Sequence, residues 1–83
     1  MTQYLISFRS LTHAQRAARL LERAGLTVTV RRTPAGLSRS GCGYAVALRK
    51  RAAEAVALLR ERQLFTGKLF VLDESGEYRE AAL

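Results

Sequence analysis

The chain has one cysteine, one histidine, one proline and no tryptophan among 83 residues, and no apolar run approaches the ~20 residues that a membrane span needs. Each shortage excludes something. A single cysteine cannot close an internal disulfide, which points to a reducing compartment. One Cys and one His fall short of the three or four ligands of a zinc site, so no metal is expected. No Walker loop, dinucleotide fingerprint or paired-carboxylate cleft appears, and no cofactor is expected. The first residues, Thr2-Gln3-Tyr4, run straight into a strand-like segment. That leaves no room for a leader, so the expected location is cytoplasmic.

Acids are scarce until the end of the chain. Residues 1–72 hold thirteen Arg or Lys against three acids, whereas residues 73–83 hold four acids and Arg79. The expected organisation is one domain over residues 1–72 and an acidic tail over 73–83, which would fold back on the basic body. A domain this short buries only ~60% of its unfolded surface, so its core is thin and an oligomeric interface would help it.

What is present is a regular alternation of two periods. Tyr4-Leu5-Ile6-Ser7-Phe8 reads as a strand, with Tyr4, Ile6 and Phe8 on one side. Thr12 followed by Gln15 reads as the capping pair of a helix whose buried stripe is Ala14, Ala17, Ala18, Leu21 and Ala24, and Gly25 is placed to end it. Leu26 to Arg31 and Tyr44 to Leu48 alternate as strands, facing the core with Leu26, Val28, Val30, Tyr44, Val46 and Leu48. A second helix is expected from Arg51 to Gln63, with Ala52, Ala55, Val56 and Leu59 on one stripe. Leu69-Phe70-Val71-Leu72 follows as a strand.

The order βαββαβ is expected to fold as a ferredoxin-like α+β domain. Its sheet would have four antiparallel strands in the order 4-1-3-2, with both helices on one face. The first two crossing strands then end at the same edge of the sheet. The segment 33–43 lies at that edge, and Cys42 is expected near Ser10, Leu11, Thr12 and His13.

Cys42 sits between Gly41 and Gly43, in a loop that also carries Ser38, Arg39 and Ser40. Nothing in that run is apolar enough to bury a thiol, so the sulfur reads as presented rather than stored. A free thiol titrates near ~8.5, and the nucleophile is the thiolate. The start of the first helix, together with Arg9, Arg31, Arg32 and Arg39, is expected to favour that anion. Gly41 and Gly43 leave the sulfur open and let backbone N–H groups converge on an anion, while Ser38, Ser40 and Ser10 add hydroxyls and His13 a titratable ring.

The series Phe8-Arg9-Ser10, Thr12-His13-Ala14, Ala24-Gly25, Thr33-Pro34, Leu37-Ser38 and Cys42-Gly43 resembles the small selenium or sulfur carrier-like domains. The resemblance covers residues 4 to about 72, and its most specific part is the Pro, Leu-Ser and Cys-Gly series. It implies a carrier of sulfane sulfur or selenium rather than an enzyme with independent turnover. The implied partners are a donor protein of the cysteine desulfurase kind and an acceptor. The absence of a second cysteine suits that role, because a resolving thiol would attack a persulfide and expel sulfide.

Two other readings compete. The same element order occurs in RNA-recognition modules, which stack bases on aromatics of the open sheet face. Here Tyr4, Phe8 and Tyr44 are expected to turn toward the helices, leaving Leu5, Ser7, Thr27, Thr29, Ala45 and Ala47 outside, so nucleic acid is disfavoured. Alternatively, the small side chains of that face would let it pair with a second copy, as a regulatory or assembly module or as a homodimeric carrier.

Overall fold

The computed structural model describes residues 3–34, 43–65 and 67–81. Five strands and two helices follow one another as β1 (Gln3–Phe8), α1 (Leu11–Arg23), β2 (Thr29–Arg32), β3 (Tyr44–Leu48), α2 (Ala52–Glu61), β4 (Leu69–Leu72) and β5 (Tyr78–Ala81). The strands form a single sheet in the order β2-β3-β1-β4-β5, and every neighbouring pair is antiparallel.

The first four strands take the expected order, but the sheet has five strands rather than four. The segment expected to be a solvated tail turns at Asp73–Glu77, and β5 then pairs with β4 through Leu69↔Ala81 and Leu72↔Tyr78. Asp73 builds the turn. Its Oδ1 accepts from the backbone N–H groups of Ser75 and Glu77 at 2.9 and 3.0 Å, and from the Ser75 hydroxyl at 2.6 Å. Gly76 supplies the positive φ of 89° that the turn requires.

Alternation along β1 sends Ile6 and Phe8 to the helix side, where they meet Ala14, Ala17 and Leu21 of α1 and Ala55, Val56 and Leu59 of α2. Burying each large member of this set removes enough apolar surface to be worth about 1.5–3 kcal/mol. Leu26 is buried in the same cluster, with Val28 and Val30 packed against it, although β2 begins at Thr29 rather than at Leu26. Both helices end in the same way. Gly25 (φ 90°) and Gln63 (φ 59°) turn left-handed, and the next residues, Leu26 and Leu64, donate back to Leu21 and Leu59. Helix α2 is shorter than its alanine and leucine content suggests. Arg51 takes a left-handed conformation (φ 61°) at its start, so the helical run opens at Ala52.

The other face of the sheet is less open than the side-chain sizes implied. Leu5 and Ala45 are fully buried there, and Ala47 nearly so, because Phe70 and Tyr78 lean over them. Register explains this: Leu5 lies opposite Phe70, so that aromatic must share its face. Ser7 is also buried, bonded to the backbone N–H of Lys68 at 2.8 Å where Gly67 approaches closely. Thr27 and Thr29 remain exposed, as expected.

Candidate functional site

The candidate site begins where β1 stops. Arg9 and Ser10 bend the chain off the sheet, and Ser10 (φ −139°, ψ 160°) is the extended residue that caps α1. Its Oγ accepts from the backbone N–H of His13 at 3.2 Å. This corrects the expected cap: Thr12 and Gln15 have the right spacing, but the chain leaves the strand only two residues after Phe8, and the first residue able to cap is Ser10. The His13 ring folds back on the same hydroxyl, with Nδ1 at 2.6 Å from Ser10 Oγ. When the ring is neutral and Ser10 donates, the ring proton sits on Nε2; when the ring is charged, Nδ1–H donates instead.

No acid occupies the first turn of α1. The partial positive charge of that helix end therefore meets no carboxylate on its own turn, and Arg9 stands exposed beside it.

Strands β2 and β3 bring the second half of the site to the same end. Phe8 and Arg32 both register with Tyr44, and Thr33 N–H donates to the Gly43 carbonyl at 3.0 Å. Gly43 is thus held in the ladder one residue beyond β3. The Arg32 guanidinium lies 5.8 Å from the Tyr44 ring centroid, a cation–π contact that keeps its charge at this edge. A side chain added at Gly43 would meet none of the described residues beyond its chain neighbours within 4 Å. Thr33 is 94% buried by its 6% exposure, and its hydroxyl has no hydrogen-bond partner among the described residues.

Of the residues singled out from the sequence, Ser10 and His13 are in direct contact, and Gly43 lies at the same sheet edge. Cys42, Gly41, Ser38, Ser40 and Arg39 lie outside the described residues. Arg32 was expected among the cations of this edge and Thr33 stood in the Thr33-Pro34 part of the resemblance, but the contact of Arg32 with the Tyr44 ring and the burial of the Thr33 hydroxyl were not anticipated.

The opposite end of the molecule has a different electrostatic character. Arg51 pairs with Glu54 and also donates to the Gly25 carbonyl at 3.3 Å. The shared hydrogen bond raises the pKa of Arg51 and lowers that of Glu54. Asp73 is held down at about 2, first by the Ser75 hydroxyl, then by backbone N–H groups, with Arg79 adding a smaller attraction.

A family described as "Putative Se/S carrier protein-like" matches residues 3–70. The chain belongs to this family. The matched span reaches from the first residue of β1 into β4, so this Se/S carrier-like domain includes both halves of the candidate edge as well as the loop between them. Strand β5 lies beyond it. No curated protein and no solved structure matches the chain. Among the described residues, no helix is long and apolar enough to cross a membrane.

Proposed function

We propose that this domain carries sulfane sulfur or selenium on Cys42, taking it from a donor persulfide and passing it to an acceptor. The observation that supports this most is the character of the edge to which Cys42 is bonded. Gly43 is fixed in the β2–β3 ladder, uncrowded by the described residues, at the end of the sheet where Arg9, Arg32 and a helix start with no acid in its first turn supply positive potential. The first four strands and two helices fit a ferredoxin-like arrangement, with β5 added at one edge.

The chemistry is a transfer between sulfurs without net oxidation. The Cys42 thiolate attacks the outer sulfur of the donor's persulfide, a new S–S bond forms at Cys42 Sγ, the donor's own S–S bond breaks, and the donor leaves as a thiolate. The acceptor's nucleophile then attacks the carried atom, and the Cys42 thiolate is released unchanged. Selenium follows the same bond changes. Positive potential lowers the cost of the anion at the start and at the end. His13, with its ring fixed by Ser10, is placed to exchange a proton at the same edge, and Ser38, Arg39, Ser40 and the backbone at Gly41 and Gly43 are the proposed contacts to the carried anion. Thr33 offers a buried hydroxyl with spare hydrogen-bonding capacity.

Incubation with a cysteine desulfurase and its substrate, followed by intact-mass measurement, tests the reading. One added sulfur is expected on the wild-type chain and none on Cys42→Ser. An adduct that survives in Cys42→Ser overturns it. Pairing of two copies through the Phe70 and Tyr78 face is compatible with this role, and sedimentation as a strict monomer at high concentration would remove it.

A further inference from the structure

Thr12, Arg16, Arg19 and Arg23 recur at steps of four, three and four residues, so they share one face of α1. That face walls a groove of about 400 Å³, which Arg62 and Leu64 help to line along with Gln15 and Leu20. No Asp or Glu lines it. The four arginines are exposed, and among the described residues none of them makes an ion pair. Like charges three and four residues apart destabilise a helix by about 0.2–0.5 kcal/mol per pair, so the stripe brings the fold no benefit.

We infer that this groove docks an acidic, amphipathic segment of a partner protein. Three features select that occupant. The charge is of one sign and forms forked guanidinium donors, which suit carboxylates. Arg16 and Arg23 are seven residues apart, a rise of ~10.5 Å along the helix, longer than one small anion can bridge. Leu20 and Leu64 give the groove apolar surface, and no aromatic side chain lines it, so bases have nothing to stack on. Thr12, which lines the groove, precedes His13 directly, so the groove adjoins the candidate edge. Identifying this partner as the sulfur donor or acceptor rests on the carrier reading; the docking itself does not.

The test uses the full chain carrying Cys42→Ser, which removes transfer chemistry and leaves the groove intact. The probe is a short fluorescein-labelled peptide of repeating Glu-Glu-Leu triplets, followed by anisotropy. Salt-sensitive binding is expected. It should weaken about tenfold or more in Arg16→Gln/Arg19→Gln/Arg23→Gln and stay unchanged in Lys50→Gln, an exposed cation outside the groove. Unchanged far-ultraviolet dichroism of the triple variant shows that the helix is kept. Equal binding by the triple variant overturns the inference. So does an oligouridylate that binds more tightly than the peptide through the same arginines, or full displacement of the peptide by inorganic phosphate. Persulfide loading of the wild-type chain is scored separately, so a failure of docking and a failure of carriage are distinguishable.

Discussion

The two ends of the sheet use charge in opposite ways. At the end where β3 and β4 finish, Arg51 holds Glu54 and the Gly25 carbonyl, and Asp73 collects Ser75, Glu77 and Arg79, so charge there stabilises the protein's own turns. At the end where β1 and β2 finish, Arg9 is exposed with no carboxylate partner among the described residues, Arg32 rests on an aromatic ring, and the first turn of α1 has no acid. Lys68 and Glu80 pair at the β4–β5 corner of this second end, whereas among the described residues no such pair forms at the corner where β1, α1, β2 and β3 meet. The positive groove along α1 includes Thr12, in the first turn of the helix at this second end.

Substitutions at each end of the sheet should have unequal effects. The largest effect is expected at Gly67, where any Cβ would collide with the carbonyl and hydroxyl oxygens of Ser7. Gly67→Ala should cost about 3 kcal/mol in urea unfolding, because backbone must move. A cost near zero would mean that the approach of this segment to β1 is not what fixes the loop end. Ser10→Ala should lose about 1 kcal/mol through the cap and leave the His13 ring without its anchor, visible as a changed imidazole shift in NMR titration. Gln63→Gly should gain about 1 kcal/mol, since glycine accepts the left-handed turn without penalty; a loss would show that the Gln63 side chain contributes more than its backbone strain costs.

The smallest effect belongs to the self-paired end. The folded carboxyl of Asp73 titrates at about 2, below its unfolded value near ~3.9. Its contribution is therefore complete above the unfolded value and is lost as pH falls through about 2. Asp73→Asn should flatten the acid limb of thermal stability in that window and leave the neutral region of the curve parallel to wild type.

Much of this architecture was legible because burial imposes period. Both helices carry one apolar side each, β1 and β3 are short runs rich in apolar and β-branched or aromatic residues, and the right-handed crossover rule orders the first four strands. Strand β5 was not legible. Tyr78-Arg79-Glu80-Ala81 is polar in its middle, and it is held by backbone pairing to β4 and by the contact of Lys68 with Glu80 at 3.4 Å rather than by an apolar stripe. The cover over Leu5 was missed for a related reason: only register, not composition, places Phe70 and Tyr78 on that face. The cap moved from Thr12 to Ser10 because the capping-pair spacing matched Thr12 and Gln15, whereas the end of β1 at Phe8 lets the helix start at Leu11. At the candidate site, the sequence brought Ser10, His13 and Gly43 to one edge. Thr33 escaped notice, since nothing in a sequence marks a hydroxyl that will be buried without a partner.

The central claim is that Cys42 works as an anion at a positively biased edge. The pH dependence of its alkylation by iodoacetamide measures that most directly. A rate that saturates with a midpoint well below ~8.5, and a midpoint that rises in Arg9→Gln/Arg32→Gln, is the predicted result. A profile that coincides with that of free cysteine, unmoved by those substitutions, would contradict it.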